Sequence, residues 1–353
     1  MEPQENAELV GQEASERALL DAARSGRLHH AWLLTGPRGV GKATLAYRFA
    51  RFLLAGAEAG GLLADAPSNL AIDPRHPVFR LVASGAHPDL KLIARSQNPK
   101  TGKMRSEIVV DDVRDAVAFL RLTPSEGGWR VVVIDGAEEM NRNAGNALLK
   151  ILEEPPARAV LLLASHSPGR LLPTVRSRCR RLGLRTLDDA AIAGYLSRTL
   201  PELGEADRGL LMRLAEGSIG RALALSQSGG LDLYRDIVGL LSALPRLDIA
   251  ALNQMADRLG RSGADSAFRS AAELLTGWLA RMLRQRATGR QEAEVLAGEA
   301  ACMDRLGRAV GLTRWLAFLD ATERQFALID PLNLDRRLIW IGTLLQLQQL
   351  MGT

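Results

Sequence analysis

Residues 36–43 read GPRGVGKA, and this octapeptide restricts the fold more than any other part of the chain. Gly36, Gly41 and Lys42 satisfy the G-x-x-x-x-G-K portion of a phosphate-binding loop, with Gly39 inside it. The preceding run AWLLT (31–35) reads as a buried strand. The following stretch KATLAYRFARFLLAG (42–56) repeats apolar residues at helical spacing, at Leu45, Phe49, Phe52 and Leu53. Strand, glycine-rich turn and helix are what phosphate binding needs. Backbone N–H groups and the helix N-terminus receive phosphate oxygens, and Lys42 adds a positive charge. The competing reading is a plain glycine-rich turn with no ligand. Either way the segment predicts an α/β domain on a parallel sheet.

Position 43 is Ala where such loops carry Ser or Thr. The hydroxyl at that place ligates Mg²⁺, which Ala43 cannot do. Thr44 comes one residue late, about 100° further round the helix. A second apolar run, WRVVVID (129–135), has the continuous pattern of a central parallel strand and ends in Asp135. An acid at that strand end sits beside the loop and is placed to hold Mg²⁺ through water. The next residue is Gly136, with Glu138 and Glu139 following in the turn. A third run, AVLLLASHS (159–167), is a core strand whose terminal Ser165 or Ser167 either senses a phosphate or caps a turn.

The length of 353 residues allows two or three domains. No apolar run reaches about 18 residues, so no membrane span is expected. The polar, acidic start MEPQENAELVGQEASER does not read as a secretory signal. Cys179 and Cys302 form neither a disulfide framework nor a zinc spacing, which suits a reducing cytoplasm. The basic residues are 40 Arg and 5 Lys, and the net charge of +5 is a thin signal for nucleic acid. No helix-turn-helix, zinc-finger or aromatic RNA-binding signature is evident.

Beyond about residue 187 the strand signals fade. LDDAAIAGYLSRTL (187–200) and EADRGLLMRLAEGS (205–218) read as helices around a turn at Pro201 and Glu202. Segments 265–287, 310–329 and 334–352 each carry a broad apolar stripe, suited to a bundle or to subunit contacts. Upstream, Asn146 to Glu154 reads as a helix stopped by Pro155 and Pro156.

Three stretches together resemble a known family: LVGQEASERALLDAARSGRLHHAWLLTGPRGVGKATLAY, NRNAGNALLKILEEPP and SHSPGRLLPTVRSRCRRL. They are similar to the clamp-loader subunits of bacterial DNA polymerase III, across roughly residues 8–225. The pattern of altered positions looks like the delta-prime branch rather than the gamma/tau motor. The resemblance implies an AAA+ P-loop domain at 1–185, a small helical lid at 186–228 and a helical collar at 229–353. It implies a five-subunit ring with gamma/tau and delta that loads a sliding clamp on primed DNA. It implies that Arg178, in the SRC element Ser177–Arg178–Cys179, is an arginine finger reaching ATP on a neighbour. Arg221, in GSIGRALAL (217–225), stands where the family places a lid residue called sensor 2.

In P-loop ATPases of the AAA+ type the residue after the strand-end acid is usually a Glu that activates the attacking water. Gly136 there and Ala43 at the hydroxyl position predict a subunit that does not turn over ATP, with ATP or ADP binding left open. The alternative is an active ATPase in which Thr44 and Glu138 replace the missing groups. A DNA-binding module using the Arg-rich surface is a third reading. Many bacterial relatives carry four zinc-binding cysteines, but the stretch 56–108 here has none. No zinc is expected, and His76 and His87 read as turn or surface residues. A flexible loop is expected near 96–106.

Overall fold

Apolar residues fill both faces of the central strands, so helices must cover the sheet on two sides. The computed structural model describes residues 2–56, 67–97, 105–125, 128–291 and 293–352. Most of the loop expected at 96–106 therefore lies outside the described residues. In chain order the first half runs α1 (Glu13–Arg24), β1 (Ala31–Thr35), α2 (Lys42–Leu54), α3 (Pro77–Ala83), β2 (Leu90–Ile93) and α4 (Val110–Leu120). It continues β3 (Arg130–Asp135), α5 (Arg142–Glu153), β4 (Ala159–Ser165), α6 (Pro173–Arg176) and β5 (Arg180–Gly183).

The five strands are parallel in the order β2-β3-β4-β1-β5. Strand alternation sends Trp32, Leu34, Val131, Val133, Val160 and Leu162 to one face, where they pack with Leu45, Phe49 and Phe52 of α2. Leu33, Val132, Ile134, Leu161 and Leu163 face the other side, against Val113 of α4 and Leu148 and Ile151 of α5. The helix starts follow local chemistry. Asn141 accepts the Ala144 N–H at 2.9 Å and caps α5, and Asp111 and Asp112 occupy the first turn of α4.

The remaining helices are α7 (Asp189–Thr199), α8 (Glu205–Ala215), α9 (Ile219–Gln227), α10 (Gly230–Ala243), α11 (Ile249–Leu259), α12 (Asp265–Thr288), α13 (Glu299–Ala309), α14 (Leu312–Ala327), α15 (Ile329–Leu332) and α16 (Arg336–Gly352). Two compact units result: residues 1–195 with 217–220, and residues 196–216 with 221–353. The second unit is all helical. It encloses a charged cluster, in which Arg281 Nη2 meets Glu299 Oε1 at 2.6 Å and the Tyr234 hydroxyl bonds both groups. Glu299 Oε2 also accepts the Val295 N–H at 2.9 Å. Elsewhere in this unit, the aromatic rings of Phe268, Phe326 and Trp340 pack together. Among the described residues no helix is long and apolar enough to cross a membrane.

Candidate functional site

The strand register places the expected site at the carboxyl edge of the sheet. Thr35 of β1 stands beside Ser165 of β4, and Asp135 of β3 stands beside Ala164. The loop 36–41 leaves β1 at this edge and enters α2 through Gly41, whose φ is 100°. Gly36 is required by close approach: a Cβ there would meet the Leu184 carbonyl oxygen at 2.5 Å. Thus Gly36, Gly39, Gly41, Lys42, Thr44, Asp135 and Ser165 all lie in the loop, the first turn of α2 or the adjoining strand ends.

Lys42 is buried, and its Nζ donates to two carbonyls of its own loop, Gly36 O at 2.9 Å and Pro37 O at 2.6 Å. Burial lowers its pKa, while the carboxylates of Glu138 and Asp135 pull it back up. Burial raises the Asp135 carboxyl, and Lys42 opposes that rise. Segment 217–220 closes on the same loop. The Gly220 N–H donates to Gly39 O at 2.9 Å, and Ser218 Oγ donates to Arg38 O at 2.9 Å.

Beyond Asp135 the chain turns sharply. Gly136 has φ of 73°, in the left-handed region, and a Cβ there would lie 2.8 Å from Glu139 Oε2. Glu138 follows in a short 3₁₀ turn, Ala137–Glu139, with its side chain fully buried. Its Oε1 accepts the His166 N–H at 3.0 Å and also meets His166 Nδ1. Burial pushes the Glu138 carboxyl up, but its own backbone N–H, the Ser165 hydroxyl and the His166 N–H outweigh burial and hold it below the ordinary value. Neither Glu138 Oε2 nor Ser165 Oγ makes a hydrogen bond of regular geometry, although the hydroxyl lies close enough to favour the carboxylate charge. Burial also keeps the His166 imidazole below its ordinary value, despite Glu138. Glu138 is thereby committed to tying the β3 turn to the end of β4.

The remaining two expected residues belong to other elements. Arg178 lies in the turn after α6, where Nη2 pairs with Glu153 Oε1 at 2.8 Å and Nη1 donates to Thr174 O at 2.9 Å. Arg221 belongs to the second unit and pairs with Glu216 at 2.8 Å. His76 and His87 act as turn residues: each Nδ1 accepts a backbone N–H, from Val78 and Asp89 respectively, at 3.2 Å. Sequence reasoning missed His166, Glu153, Ser218 and Gly220. Only Glu153 carried a local signal, as an acid at the end of a helix.

Chemically, the loop and its lysine fit a polyanion such as a phosphate chain. The donor set does not fit a hydrolytic metal site. Ala43 brings no hydroxyl, and Gly136, directly after Asp135, brings no carboxylate.

Comparison with known proteins gives four findings. The family described as "DNA polymerase III, delta subunit" matches residues 11–188. The chain is 33% identical to DNA polymerase III subunit delta' of Pseudomonas aeruginosa, over 92% of this chain and 93% of that protein. It is 35% identical to DNA polymerase III subunit tau of Salmonella typhimurium, over 64% of this chain but 33% of that protein. Among solved structures, a gamma subunit-related protein of Thermotoga maritima is similar at 18% identity and TM-score 0.44, covering 96% of this chain and 99% of that one.

Proposed function

The chain belongs to the delta-prime subunit family of DNA polymerase III, and from that premise we propose that it serves a clamp loader without turning over ATP itself. It supplies Arg178 as an arginine finger to ATP held by a neighbouring subunit. Its partners are the gamma/tau and delta subunits, with the sliding clamp and primer–template DNA engaged through the assembly. Residues 186–228 serve as the lid and 229–353 as the collar that joins the ring.

One observation carries the reading: the cradle keeps its shape while both hydrolytic positions are altered. Ala43 has no metal-ligating hydroxyl, and Gly136 occupies a left-handed turn where a general base is needed. Glu138, the nearest substitute, is buried and bonded to His166, away from the work of orienting water. An always-charged guanidinium offered to a neighbour is the remaining chemistry. It stabilises charge that develops on a transferring phosphoryl group.

The test uses the reconstituted ring. The purified chain releases no phosphate from Mg·ATP, and Arg178→Ala lowers ATP hydrolysis at the served site at least ~10-fold. Steady turnover by the lone chain refutes the first part. Normal turnover by the Arg178→Ala ring refutes the second.

A further inference from the structure

Arg178 bears the charge on which the proposed function depends, and in the folded chain that charge is already engaged. Glu153 Oε1 takes Nη2 at 2.8 Å, and the Thr174 carbonyl takes Nη1 at 2.9 Å. Neither side chain is sequestered: Arg178 is 37% exposed and Glu153 is 52% exposed. The guanidinium is therefore held at the surface, with part of its fork of five N–H donors still unused by these two bonds.

The acidic partner is itself out of place. Glu153 is the last residue of α5, at the negative end of the helix dipole. Helices favour Lys or Arg in the last turn, and a carboxylate there is disfavoured by the unpaired carbonyls around it. Glu154, Pro155 and Pro156 follow directly, so no later turn of helix relieves the charge. A local rule broken with no local gain points to a role set by the fold around it. The partner Glu153 meets is Arg178, brought to it because α6 packs against α5.

We propose that Glu153 parks the Arg178 guanidinium while the facing site lacks a triphosphate and yields it when one arrives. This rests on the finger reading above. Glu153 is a positioning residue; it touches neither nucleotide nor reacting atoms. The exchange is easy because an exposed ion pair is weak, and a phosphate chain carries more charge than one carboxylate while matching the same planar fork. Parking holds a flexible side chain in one place without committing it. The carboxylate also cancels the finger's charge until a stronger anion displaces it.

The experiment compares five reconstituted rings, carrying the wild-type chain, Glu153→Gln, Glu153→Ala, Arg178→Ala, or Glu153→Gln together with Arg178→Ala. Glutamine keeps the shape of Glu153 and removes the competing charge. The Glu153→Gln ring is expected to show kcat/KM for ATP raised roughly two- to fivefold, mostly through KM. The gain fades as salt rises from about 0.05 to 0.5 M, and Glu153→Ala reproduces it. It is absent when Arg178→Ala is also present. A gain of this kind cannot come from damaged folding, which only lowers turnover. If Arg178→Ala slows the ring but Glu153→Gln leaves it at or below wild type, parking alone is overturned. A gain that persists in the double variant overturns it too. If Arg178→Ala has no effect, the finger reading fails and parking falls with it.

Discussion

Glu138 separates a subunit that serves its neighbour from one that hydrolyses ATP on its own, so Glu138→Gln is the most informative single change. The carboxylate is fully buried and accepts the His166 N–H at 3.0 Å, besides meeting the His166 ring. The glutamine has the same size but loses the charge that strengthens these bonds. A hydrogen bond to a charged group contributes about 1.5–3 kcal/mol, and that is the expected loss of stability. For a unit of this size, about 2–4 °C per kcal/mol converts the loss to a fall in Tm of roughly 3–12 °C. The pH dependence has a definite sign. Hydrogen bonds outweigh burial and hold this carboxyl below its ordinary value of 4.5, so its contribution is complete above that value. The contribution is lost as pH falls through the lowered folded value. The wild-type advantage over Glu138→Gln is therefore full at pH 7 and narrows below pH 4.5. Thermal unfolding of the full chain at both pH values measures this. Hydrolysis by a ring carrying Glu138→Gln is expected to stay within about twofold of wild type, because the residue ties a turn rather than activates water. An unchanged Tm, or a large loss of hydrolysis with folding intact, refutes the reasoning.

Gly136→Glu places a carboxylate directly after Asp135, yet on the proposed reading the lone chain is expected to show no ATPase activity. Its left-handed φ of 73° and the nearby Glu139 carboxylate make the change strained, at a cost of about 1–2 kcal/mol by denaturant unfolding. Glu299→Ala strips the partner from Arg281, whose side chain is 10% exposed, and is expected to destabilise the helical unit by about 3–5 kcal/mol in urea titration. Asn141→Ala removes the cap of α5 and is expected to cost about 1 kcal/mol, read from the same titration.

The strands that were legible are the ones buried on both faces. AWLLT, RVVVID and AVLLLAS are β1, β3 and β4, and each is an unbroken apolar run. β2 and β5 escaped because LKLI and RRLG lie at the sheet edges, where charged residues interrupt the pattern. The helices expected at 187–200, 265–287, 310–329 and 334–352 are present as α7, α12, α14 and α16, because their apolar repeats are long. In the site, Asp135 and Ser165 close β3 and β4 and Lys42 opens α2, placements that the apolar runs and the glycine-rich loop implied. The pairings of Glu138 with His166 and of Arg178 with Glu153 were not, since each joins residues more than 20 positions apart.

Local order along the chain was enough to specify a phosphate-loop sheet domain and a long helical continuation. Periodicity and residue chemistry act over one or two turns, and those features are local. What each charge does was decided only in three dimensions. Lys42 turns onto its own loop, Glu138 anchors the β3 turn and Glu153 holds Arg178 at the surface. Such assignments depend on which groups the sheet order and helix packing bring within about 3 Å, a distance that no spacing in the sequence encodes.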